Sequence, residues 1–131
     1  MMTQRVIRCR GKKVEVQGTW SLLYTINGTI AGMVAICAGA DVVRPWAALV
    51  IGIVGALAFR TWSKALKALR IDDPLDAVGV HMGAGIWGVL ARPLFQWDTG
   101  IVYTGSELAF KNFAWGIAGV CVIMVWTGVL T

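Results

Sequence analysis

Long apolar runs separated by short polar stretches set the frame of this chain. From about residue 20 to 40 the run is interrupted only by small or neutral polar residues: Ser21, Thr25, Asn27 and Thr29. A second run covers about 45–65 and opens on Pro45, a favoured first helical residue. A third covers about 74–95 and a fourth about 109–131. A membrane helix needs roughly 20 mostly apolar residues. The pattern therefore predicts four transmembrane helices. A soluble bundle would show polar helix faces, and these near-continuous runs leave none. The expected fold class is all-α, a polytopic helical bundle in a lipid bilayer. Ahead of it lies a polar, basic segment over residues 1–19. Asp41 to Pro45 reads as a short turn, and Leu69 to Asp73 as a charged connector. Gln96 to Glu107, with Gly100 and Gly105, reads as a surface loop.

Composition agrees. Charged residues make up 15% of the 131 positions, against about 25% in a soluble domain, and mean hydropathy is +0.69. The net charge of +5 raises nucleic acid as a partner, but the basic residues bracket apolar sequence without aromatic interleaving. Nucleic acid is excluded on that pattern. The placement of charge instead gives orientation. The side holding both termini and the middle connector carries nine Lys or Arg, and the opposite side three: Arg44, Arg92 and Lys111. By the positive-inside rule the termini are cytoplasmic. Trp20, Trp46, Trp97 and Trp126 lie near span ends, as interfacial anchors do. Cys9, Cys37 and Cys121 show no metal-ligand spacing. No Ser/His/Asp or metal constellation is present, so neither an enzyme nor a cofactor is expected.

The stretch IDDPLDAVGVHMGAGIWG, Ile71 to Gly88, carries the one histidine, His81. Asp73 is placed as an N-cap, Pro74 as the first helical residue and Asp76 as the acid at N3. Both carboxylates complement the positive end of the helix dipole, so their expected role is to cap the helix. His81 lies eight residues past Asp73, roughly 12 Å along the helix and near the middle of a roughly 30 Å core. Its helix neighbours Ala77, Ala84, Gly85 and Gly88 are small. Two readings follow. His81 hydrogen-bonds across a helix interface, or it lines a passage for a small protonatable solute. Gly28 and Gly32, and Gly79 and Gly83, form GxxxG pairs that suit close interhelical packing. Gly85 is placed with them, and Asn27 as interhelical polar glue.

At these residues the chain resembles the ammonium transporter (Amt/Mep/Rh) family. INGTIAGMVAICAGADVVRPWAALVIG, Ile26 to Gly52, carries the resemblance further, with an Asn-Gly opening and a Pro-Trp-Ala-Ala helix start. It covers roughly Trp20 to Thr131 and is closer to the Amt branch than to the Rh glycoproteins. The resemblance implies trimers of eleven-helix subunits, each with a narrow, mostly hydrophobic pore for ammonium or ammonia. His81 matches the second of two facing pore histidines that relay a proton or accommodate the deprotonated solute. Ala77 matches a position in the cytoplasmic half of the pore. Asp73 and Asp76 match acids at its cytoplasmic entrance. The four spans match helices eight to eleven. The first pore histidine, the phenylalanine gate and the external aromatic site belong to earlier helices, without counterpart in this sequence. The expectation is therefore a C-terminal fragment of a plasma-membrane transporter subunit, homotrimeric when complete. The alternative is a short membrane protein that does not transport and instead modulates full-length subunits.

Overall fold

The computed structural model describes the backbone of residues 2–9 and 12–130 and the side chains of residues 21–130. Two antiparallel strands, β1 (Met2–Cys9) and β2 (Lys12–Trp20), come first. They pair from Met2 opposite Trp20 to Cys9 opposite Lys12, with a register irregularity between Thr3 and Arg5. Charge alone did not announce this hairpin. The Val14-Glu15-Val16 alternation has the period of a strand rather than of a helix.

The rest is helical: α1 (Leu22–Cys37), α2 (Pro45–Ala68), a π-helical turn (Gly79–Gly83) running into α3 (Ala84–Phe95), and α4 (Glu107–Leu130). This is the membrane helical bundle that the apolar runs predict. By length and composition α2 and α4 suffice to cross a membrane. The 16 residues of α1 give about 24 Å, shorter than the 20–40 run suggests. It ends early because the chain turns at Gly39, whose carbonyl accepts from Val42 and Val43. Threonines are tolerated inside these helices because their hydroxyls bond to the preceding turn. Thr25 donates to the Ser21 carbonyl at 3.2 Å, and Thr29 to that of Thr25 at 3.0 Å.

Local chemistry sets the ends. Arg44 is extended, as a residue before proline must be, and Pro45 begins α2. At the other end Arg70 takes φ 58°. Arg70 N–H donates to the Lys67 carbonyl and Ile71 N–H to that of Leu66, a Schellman closure with arginine in the usual glycine position. Ser106 Oγ accepts from the Ala109 amide at 3.3 Å and starts α4 two residues before the predicted boundary.

The core is made of small side chains. Ala31 and Ala35 of α1, Ile51 and Phe59 of α2, and Val80, Ala84 and Ala91 of the third span cluster together. Backbones approach closely there. A Cβ on Gly55 would stand 2.5 Å from Ala35 Cβ, and one on Gly88 2.4 Å from the Ala35 carbonyl oxygen. Gly32 faces Gly52 across α1 and α2. Trp87 Nε1 donates to the Ile51 carbonyl at 3.0 Å, tying α3 to α2. Among the described elements α4 packs against α3 alone, through Gly116 against Val89 and Leu90, and nearly all of its surface is exposed. At one end of the bundle Val43 bridges to Gln96, and Arg44 lies over the rings of Trp97 and Tyr103.

Candidate functional site

The opposite end of the bundle carries His81. The chain arrives from α2, turns at Pro74 and Leu75, and closes with Asp76 N–H on the Asp73 carbonyl at 3.1 Å. The Asp73 carboxylate accepts from the amides of Ala77 and Val78, both at 2.9 Å. It thus satisfies two of the donors a helix start leaves open. Asp76 corrects the expectation of a second capping acid. It adopts φ 54°, and its carboxylate turns away from the helix amides. That carboxylate is buried and accepts from Ser63 Oγ at 2.5 Å, with Lys67 Nζ at 3.2 Å. A left-handed non-glycine residue costs about 1–2 kcal/mol, and these bonds are made in that conformation. Helical geometry begins at Ala77, and Pro74 lies in the turn before it.

His81 is therefore four residues into the helical span, about 6 Å from its start rather than 12 Å. It sits in the middle of the π-turn. Such widened turns recur at functional sites because they re-aim side chains. Here Gly79, Val80, Gly83 and Ala84 are buried. Gly79 faces Phe59, and a Cβ on Gly83 would stand 2.5 Å from Trp62 Cδ1. The glycines let the wide turn lie flat on the rings of α2. His81, Ala77 and Val78 fall on the exposed side. Among the described residues the imidazole makes no hydrogen bond, so within this chain it is not interhelical glue.

A model of the Ammonium Transporter Family matches residues 10–131. The chain belongs to that family. A Caenorhabditis elegans relative, named for ammonium transport, is 36% identical over a match covering 84% of this chain and 23% of its own. Ammonium transporter 1 member 1 of Arabidopsis thaliana is 40% identical, covering 65% of this chain and 17% of its own. The protein of the same name from Solanum lycopersicum is 39% identical with the same coverage. The chain thus spans between 17% and 23% of the length of these relatives. At the level of the family these proteins are transporters rather than enzymes, and with its apolar helices the chain is an integral membrane protein.

The other predicted packing residues divide. Asn27 is buried and donates from Nδ2 to the Leu75 carbonyl at 3.0 Å, so α1 grips the turn before the third span. Gly32, Gly79 and Gly83 lie at close contacts. Gly85 makes only an ordinary contact, 3.9 Å from Val34 Cγ1. Gly28 is a correction, because nothing lies within 4 Å of where its Cβ would be. Among the described residues it meets no partner.

Sequence reasoning missed Tyr24, Ser63 and Lys67. Lys67 Nζ reaches Ser63 Oγ at 3.0 Å, the Tyr24 hydroxyl and the Asp76 carboxylate, and it lies 4.8 Å from the Tyr24 ring centroid. The Ser63/Lys67 spacing of four puts both on one face of α2, a signal legible in the sequence. Their partner Asp76 is distant in the chain and was not. The carboxylate, cation and hydroxyls satisfy one another, and the imidazole nearby is left unengaged.

Proposed function

We propose that this chain supplies one wall of a narrow membrane pathway for ammonium or ammonia, with His81 as the polar group on that wall. The observation that carries the reading is the placement of His81, exposed on a widened turn and without a hydrogen-bond partner among the described residues. A neutral imidazole can accept a hydrogen bond from an ammonium N–H or take up its proton. An apolar setting disfavours the ion and favours ammonia. Ala77 and the glycines of the wide turn add no bulk beside it. The names of the relatives, which assign them to ammonium transport, support this solute.

The face that carries His81 has no covering element among the described helices. The pathway is therefore completed by a further membrane segment, as in a complete transporter subunit of which this region forms the C-terminal part. Assembly as a homotrimer, residence in the plasma membrane and cytoplasmic termini belong to the same proposal. The excess of basic residues at the His81 end favours that orientation. The test is a chimera in which residues 20–131 replace the matching segment of the Arabidopsis relative, expressed in cells lacking ammonium transport. Uptake of labelled methylammonium is expected, and His81→Ala is expected to abolish it. Uptake that survives His81→Ala at the parent rate would refute the role given to the imidazole.

A further inference from the structure

The start of the third span is built differently from what its own sequence offers. Asp73-Pro74-Leu75-Asp76 supplies an N-cap acid, a first-turn proline and an N3 acid, enough to open a straight helix at Pro74. The chain instead holds Asp76 at φ 54°, starts helical geometry at Ala77 and widens it over Gly79–Gly83. A π-turn holds about one residue more than an α-turn. It therefore rotates everything on its N-terminal side by about 100° relative to the helix beyond. The direction in which Ala77 and His81 face, relative to Ala84 and Gly88, is set by the corner and the wide turn together.

Side chains from two other helices hold that corner. Ser63 and Lys67 of α2 both reach the buried Asp76 carboxylate. Lys67 is steadied in turn by the Tyr24 hydroxyl and ring on α1. The proline is compatible with a straight start, whereas the Asp73 carboxylate, bonded to the Ala77 and Val78 amides rather than to those of Leu75 and Asp76, is a local partner of the same corner.

We propose that Tyr24, Ser63, Lys67 and Asp76 form a positioning device for His81: they lock the left-handed corner, and the locked corner keeps the wide turn that points the imidazole out of the core. The functional meaning rests on the reading of His81 as a pathway residue, but the geometry can be tested without transport. When the lock is lost, Asp76 returns to the right-handed region, Pro74 joins the helix, the wide turn closes to an α-turn, and His81 rotates.

His81 is the single histidine of the chain, so the untagged full chain in detergent micelles gives one imidazole Cε1–H correlation by NMR. Asp76→Asn and Lys67→Met are each expected to lose the wild-type signal and show a displaced one, with far-UV circular dichroism still helical. Lys67→Arg keeps the cation and is expected to keep the signal. Tyr24→Phe, which removes only the distal hydroxyl, is expected to move it part of the way in the same direction. A wild-type His81 signal in both Asp76→Asn and Lys67→Met would overturn the proposal. Should Asp76→Asn lose its helical spectrum, Lys67→Met and Tyr24→Phe decide, and unmoved signals in both overturn it. A displaced signal combined with undiminished methylammonium uptake in His81→Ala would retain the lock and reject the pathway reading.

Discussion

Replacing Gly88 by alanine tests whether backbone contact between α1 and α3 holds the bundle together. The new Cβ would lie 2.4 Å from the Ala35 carbonyl oxygen, 3.1 Å from its carbonyl carbon and 3.2 Å from its Cα. All three are backbone atoms, so no side-chain rotation relieves the clash. Ordinary contact begins near 3.4 Å, so the two helices must separate by about 1 Å. A gap of that size forfeits roughly a quarter to a half of each contact across it. The contacts at stake are those of Ala31, Ala35, Ala84 and Ala91, the centre of the core. Overpacking of this kind costs about 1–3 kcal/mol. Alanine returns about 1 kcal/mol of helix propensity, which leaves a net loss of up to about 2 kcal/mol. Gly28→Ala is the matched control. Its Cβ meets nothing within 4 Å, so only the propensity gain remains. Unfolding of both variants in mixed micelles, followed by circular dichroism, should place Gly88→Ala below the parent and Gly28→Ala at or above it. Equal midpoints for the two variants would refute the argument that the α1–α3 contact is set by the missing Cβ.

Arg70→Gly should raise stability by about 0.5–1 kcal/mol in the same assay, because glycine adopts the left-handed residue of a Schellman closure without strain. Asn27→Ala should lower it by about 1–3 kcal/mol, since the Leu75 carbonyl loses its partner from α1. Hydrogen exchange should accelerate at the Asp76 amide before it does in α2. Ser106→Ala should cost about 1 kcal/mol and fray the first turn of α4, seen as faster exchange at Ala109.

Much of this protein was determined by the sequence on its own. Run length and hydropathy mark the four helical segments, because a helix in lipid must carry apolar residues all round and satisfy its own backbone. Pro45 marks the start of α2 for a purely local reason, its preset φ. The lone histidine among glycines and alanines singles out His81 as the polar group of its span, and the two long motifs identify the family.

The tertiary structure decided what depends on residues far apart in the chain. Asp76 reads as an N3 acid from its neighbours alone, and local rules favour that reading. Ser63 and Lys67 of α2, held by Tyr24 of α1, outweigh it and turn the residue into a left-handed corner. Gly28 and Gly32 share one motif, yet only Gly32 meets a partner, because spacing fixes a common face and not what lies opposite it. The wide turn at His81 has the same origin. Its glycines permit an α-helix equally well, and the rings of Phe59 and Trp62 against Gly79 and Gly83 accompany the turn the structure adopts. Sequence determined which residue of the third span is ionisable and set among small neighbours. Contacts between helices decided where that residue faces, because a helix fixes its own rise and period but not its rotation against its neighbours.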